Sequence, residues 1–191
     1  HGEIKDSMFL DGLEDAYEQG TLMGVYAEHC AGHYSFTREE QDDFAIRSLT
    51  RAQDAIKDGS FKNEITPVTI QTRKGDITVE IDEQPGKANL EKIPTLKPAF
   101  AKDGTVTAAN ASSISDGAAA LLVMKKSEAE KHGLKPLAEL KAHATFAHAP
   151  EWFTTAPVGA LKTLAEKTGW DLGDVDLFEI NEAFAIVTMA A

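Results

Sequence analysis

The sequence predicts a mixed chain in two parts, α+β up to about residue 104 and α/β from Thr105 onward. Three observations carry this. A strong helix signal at 38–58 is followed by two segments rich in β-branched residues, which places a helix beside a hairpin in the first part. After Thr105, short apolar runs alternate with helical patterns, the texture of βα units. The composition, 42% hydrophobic and 26% charged over 191 residues, is that of a globular chain and excludes collagen-like, mucin-like and disordered classes.

The elements follow in order. Met8, Leu10 and Leu13 mark a first short segment, and MGVYAEHCAGHYS reads as a helix that buries Met23, Tyr26, Ala27 and Cys30. Thr37 and Glu40 form a capping box. Behind it Ala45, Leu49, Ala52 and Ile56 recur on one face, and Gly59 stands at the C′ position, which sets a helix over 38–58. ITPVTIQT and DITVEID then make a β-hairpin across Arg73-Lys-Gly-Asp. Pro85, Gly86, Pro94, Pro98 and Gly104 predict a long irregular connection over 82–104. Beyond it come the small-residue segment TAANASSISDG, the apolar AAALLVMKK and a helix SEAEKHG. A strand-like PLAELKAHATFA, a helix from Pro157 to Thr168 and a strand VDLFEIN complete the series.

The formal net charge of −12 repels a nucleic-acid backbone at long range, so no nucleic-acid partner is expected. The longest apolar run, Ala118 to Met124, is far short of the roughly 20 residues of a membrane span, and a cytoplasmic protein without a membrane partner is expected. Cys30, the single cysteine, fits a reducing compartment. The chain begins with His1 and stops at INEAFAIVTMAA in what reads as the first turns of a helix from Glu182, the pattern of a piece of a longer polypeptide.

Neither GxGxxG nor GxxxxGK[ST] occurs, which removes the usual supports for hydride transfer and nucleotide hydrolysis. His29, Cys30 and His33 have the helical spacing of metal ligands, but no second ligand pair accompanies them and Cys30 falls on the apolar face. They read as packing and solvent-edge residues, with no metal. The Asn110-Ala-Ser112 segment either lets backbone approach a ligand or packs small residues tightly. Asn181-Glu182 follows an apolar strand, where ligands bind in open α/β sheets; the other reading, slightly favoured by local physics, is a helix N-cap with a first-turn Glu.

INEAFA at 180–185, NASSISDGAAALL at 110–122, SFTREEQDDFAIRS at 35–48, LMGVYAEH at 22–29 and LKPAF at 96–100 together resemble the thiolases, in the family's order and across nearly the whole chain. The resemblance implies part of a thiolase-type fold: a coenzyme A-covering loop domain at 1–104, the end of an amino-terminal core half at 105–133, and the start of a carboxyl-terminal half at 134–191. It implies acyl transfer, condensing two acetyl-CoA or cleaving a 3-ketoacyl-CoA such as acetoacetyl-CoA. Acyl-CoA and CoA are then the partners, coenzyme A serving as substrate with no further cofactor, and the complete chain is a homo-oligomer working in fatty acid metabolism. A truncated, non-catalytic CoA-binding or scaffold chain is the other reading.

The family's nucleophilic cysteine, second cysteine and histidine motifs do not occur in these residues, so the segment alone is expected to be inactive. The resemblance assigns Asn181 to an oxyanion-hole water. It also places Ser112 and Phe100 against the pantetheine arm and acyl tunnel, Met23 in the acyl pocket, and Ala183 with Phe184 along the same wall. Lys87 stands near the position of a family arginine that faces the nucleotide, and Lys92 and Lys97 add positive charge along the same connection. Leu22 replaces a frequent histidine and Ser113 a usual glycine.

Overall fold

The strongest local signal produces the longest element. In the structure, a computed structural model describing Gly2 and residues 4–191, α2 spans Arg38–Asp58 between the Thr37 N-cap and Gly59, whose φ of 76° is left-handed. The capping box closes both ways: the Thr37 hydroxyl accepts from the Glu40 amide, and the Glu40 carboxylate accepts from the Thr37 amide at 2.8 Å. Before it, α1 spans Met23–Tyr34. The first predicted segment is a single wide helical turn, Phe9–Leu13.

The hairpin pairs β1, Val68–Thr72, with β2, Gly75–Val79, in antiparallel register Val68↔Val79 to Thr72↔Gly75. Arg73 and Lys74 alone make the turn; Gly75, at φ 115°, and Asp76 belong to the strand instead. The connection expected to be irregular holds a short helix α3, Glu83–Lys87, and a 3₁₀ turn, Leu90–Thr95. Side chains start both, since Asp82 and Asn89 each accept an amide hydrogen bond two residues ahead.

In the second part α4 spans Lys126–Lys131, α5 Ala156–Thr168 and α6 Ala185–Ala190. The segments read as strands, 136–147 and 175–181, do not join a sheet: β1 and β2 form the one sheet among the described residues. A ladder requires a partner at hydrogen-bonding distance, and these stretches have none here. Leu121, Leu122, Leu137, Leu140 and Leu177 are accordingly exposed. The chain exposes 14981 Å², against roughly 9,000 Å² for a compact protein of its 20.6 kDa mass.

The core is small and lies where α1 and α6 meet. Ala27, Cys30, Ala31, Val106, Phe184, Ile186 and Val187 form it. Small residues on α1 let the helix approach closely, and the chain at 99–106 closes one side, with the Ala99 amide donating to the Val106 carbonyl at 2.9 Å.

Candidate functional site

The wall of the site grows from this core. Met23, Phe100 and Ala183 pack partly buried against it, and Phe184 is buried within it. The Phe100 and Phe184 rings meet edge to face at 6.2 Å and 82°. Gly24 is required beneath them, because a Cβ there would overlap the Phe100 ring.

A short antiparallel bridge, Ala111↔Phe184, joins the small-residue segment to this wall. The Ser112 amide donates to the Ala183 carbonyl at 2.9 Å, and the Ala185 amide to the Asn110 carbonyl at 2.8 Å. Asn110 and Ser112 thereby take different parts. Asn110 is buried and its side chain is consumed internally: Oδ1 accepts from the Thr107 amide, while Nδ2 donates to Asp42 at 3.2 Å and to the Thr105 carbonyl at 3.1 Å. Ser112 is exposed. Ser113 is exposed too and lies outside the left-handed region, Ser35 being the one non-glycine of positive φ among the described residues.

The helix after Asn181 starts later than its sequence indicates. The N-cap of α6 is Phe184, in extended conformation, so Asn181 is not a cap and Glu182 does not stand in a first turn. The bridge to Ala111 holds Phe184 extended and delays the helix. Asn181 and Glu182 are exposed ahead of it. Glu182 accepts a 2.7 Å hydrogen bond from Ser48 of α2.

Beside this bridge lies a cavity of about 470 Å³. Phe44, Ala45 and Leu49 of α2 line it together with Ala108 to Ala111, Glu182, Lys87 and Lys92. Lys87 is tied to Glu83 at 2.6 Å, one turn away on α3. Lys92 makes no ion pair among the described residues. Lys97 lines a separate, open depression with Phe100 and Lys102. The structure thus brings Met23, Phe100, Ala183, Phe184 and Ser112 together, leaves Asn181 exposed two residues before Ala183, and puts Lys87 on the lining of the adjoining cavity with Ala111 and Glu182.

The His29-Cys30-His33 cluster is dispersed: both histidines are exposed and Cys30 is fully buried. Burial pushes the thiol pKa up, partly offset by the neighbouring Thr154 hydroxyl, which makes no hydrogen bond of ordinary geometry. A buried thiol held neutral is a packing group.

The polar support of the site escaped the residue patterns. Arg38 donates to Asp42 at 2.7 Å and to the carbonyls of Ile93 and Leu96 at 3.1 and 2.9 Å, fixing the approach to Phe100. Gln41 reaches Thr105 at 2.8 Å. The Glu28 carboxylate accepts from the Thr105 and Val106 amides, pinning α1 to the same strand of chain. The available signal was the placing of Gln41 and Asp42 beside Ala45 on the inward side of α2.

Fold and wall together define a thiolase segment. The family model for the thiolase N-terminal domain matches residues 1–127 and that for the C-terminal domain residues 134–191; the chain belongs to the thiolase family. It is 47% identical over 192 residues to an acetyl-CoA acetyltransferase of Paracoccus denitrificans, covering 99% of this chain and 49% of the relative. A cytosolic acetyl-CoA acetyltransferase of Mus musculus is 47% identical over 190 residues, at 98% and 48% coverage. The crystal structure of the Bacillus anthracis acetyl-CoA acetyltransferase superposes with a TM-score of 0.94 at 42% identity, over all of this chain and 48% of that one. The chain spans about half the length of the curated relatives it matches.

Proposed function

We propose that these residues are the middle of an acetyl-CoA acetyltransferase that condenses two acetyl-CoA molecules or cleaves acetoacetyl-CoA with CoA. The observation that carries the reading is the Ala111↔Phe184 bridge, which sets exposed Ser112 against the wall of Phe184, Phe100 and Met23, beside the Asn181 turn. An apolar wall with few polar groups suits an acyl chain and a pantetheine arm.

In this reading Asn181 holds a water that stabilises negative charge developing on the thioester oxygen, and Ser112 contacts the pantetheine arm. Phe100, Met23, Ala183 and Phe184 bound the acyl pocket. Lys87 and Lys92 supply local positive charge for the phosphates of coenzyme A, which is a substrate, in a chain whose net charge is −12. The nucleophile and the acid–base groups come from polypeptide outside these residues. Loop domain, first core half and second core half divide at about 104 and 133, and the whole enzyme is a cytoplasmic oligomer. The large exposed surface and the half-length match to the relatives support this partition.

The test compares the 191-residue chain with a polypeptide of the relatives' length that contains it, assayed for acetoacetyl-CoA cleavage. The longer protein turns over and the shorter does not. In the longer protein Asn181→Ala lowers kcat on the order of 100-fold with a smaller change in KM. A change in KM alone would remove Asn181 from the oxyanion site.

A further inference from the structure

Asn181 and Glu182 lie between a stretch that joins no sheet and the bridge at Phe184. No backbone hydrogen bond holds either residue among those described; the first such bond after them is made by the Ala183 carbonyl. The bond from Ser48 to Glu182 is therefore the tether that ties this turn to α2. It spans 134 residues of sequence, so it fixes the turn against a distant element rather than against its own neighbours.

The other half of the site is anchored to the same helix. Asp42 holds Asn110, whose carbonyl receives the Ala185 amide, and Arg38 holds Asp42. Arg38, Asp42 and Ser48 thus run along α2 beside both partners of the bridge. Asp42 is buried and doubly bonded, whereas the Ser48–Glu182 bond is exposed and single. The first supports the packed strand and the second controls a loose turn.

We infer that α2 aligns the site, with Ser48 and Glu182 as positioning residues for Asn181. The inference rests on the acyltransferase reading for its kinetic consequence, not for its geometry. An amide-bearing side chain that orients a water gains its effect from placement, and placement here depends on a hydrogen bond rather than on the carboxylate's charge. Glutamine at 182 retains an acceptor for the Ser48 hydroxyl; alanine does not.

Ser48→Ala, Glu182→Ala, Glu182→Gln and the Ser48→Ala/Glu182→Ala double variant are made in the longer polypeptide described above. Acetoacetyl-CoA cleavage, melting temperature and amide hydrogen exchange over residues 180–184 are measured on each. Ser48→Ala and Glu182→Ala each lower kcat roughly tenfold, inside the hundredfold that a misplacement of about 1 Å can cost. Their KM and melting temperature stay near the parent values while exchange at 180–184 quickens. Glu182→Gln behaves as the parent, and the double variant is no worse than either single one. A Glu182→Gln variant as impaired as Glu182→Ala overturns the inference, because charge rather than alignment then matters. So does a Ser48→Ala variant unchanged in both rate and exchange. If the parent protein cleaves no acetoacetyl-CoA, exchange decides: quickened exchange in Ser48→Ala keeps the alignment and discards the acyltransferase reading, and unchanged exchange discards both.

Discussion

The corner formed by α1, α2 and residues 97–112 contrasts with the stretch from 113 to 149. In the first, buried and half-buried polar groups meet partners: Asp42 has Arg38 and Asn110, Gln41 has Thr105, and Glu28 has two backbone amides. In the second, Ile114, Leu121, Leu122, Val123, Leu137 and Leu140 face solvent on backbone that forms no regular element apart from α4. Both regions carry the apolar residues of a core. What separates them is whether the partner surface is present within the described residues, which shows that composition selects burial but only the assembled neighbours provide it.

The sharpest way to break this contrast is to truncate one apolar side chain from each side. In the 191-residue chain Ile186→Ala, at a fully buried position, should cost about 2–5 kcal/mol in urea denaturation. Leu137→Ala, at a fully exposed one, should stay within about 0.5 kcal/mol. Equal losses would mean that the 113–149 stretch is packed in solution. Next in size, Asp42→Ala leaves Arg38 without its carboxylate and Asn110 with only the Thr105 carbonyl of its two acceptors. A loss of about 3 kcal/mol is expected, toward the lower end for a broken buried pair because Arg38 retains some solvent. Destabilisation of under about 1 kcal/mol would identify the pair as a surface ion pair.

The legible parts of the molecule were those with local causes. α2 could be placed at both ends because Thr37, Glu40 and Gly59 act on amides and carbonyls within a few residues. The stretches at 136–147 and 175–181 were legible as apolar extended chain, but strand pairing is non-local and their partners are not among the described residues. The start of α6 lies past the sequence signal at Asn181 for the same reason: a contact from Ala111, far away in sequence, holds Phe184 extended and moves the cap beyond Asn181. Met23, Phe100, Ala183 and Phe184 were identified by family likeness rather than by any pattern, since a shared wall is visible only after folding. Ser48–Glu182 and Arg38–Asp42–Asn110 had no local signature beyond polar residues on or beside the inward side of α2.

A smaller effect sharpens the contrast from within the packed corner. Gly24 faces the Phe100 ring so closely that alanine would overlap it. Gly24→Ala should destabilise by about 1–3 kcal/mol, the usual penalty of overpacking. It should also turn the ring away from Phe184, which ring-current shifts in a proton spectrum would register. An unchanged Phe184 environment would show that α1 itself moves instead.

The smallest effect belongs to the centre of the core. Cys30 is fully buried and its thiol pKa is raised, first by burial. In the unfolded chain the thiol ionises near its ordinary pKa of about 8.5. Below that pH both states keep the proton, and Cys30 contributes no slope. Above it the unfolded state sheds the proton first, so ν_U falls below ν_N and stability declines with rising pH until the folded thiol ionises as well. Tyr26, raised first by burial and then by Asp15 and Glu18, adds the same sign, beginning near its unfolded pKa of about 10. Cys30→Ala should therefore flatten the stability curve between these two onsets and leave the decline above the second. The shapes of the two curves are compared rather than their heights, because the substitution also removes packed volume. A parent curve already flat across that interval would mean that water reaches the thiol, and would place Cys30 with the exposed region rather than with the core.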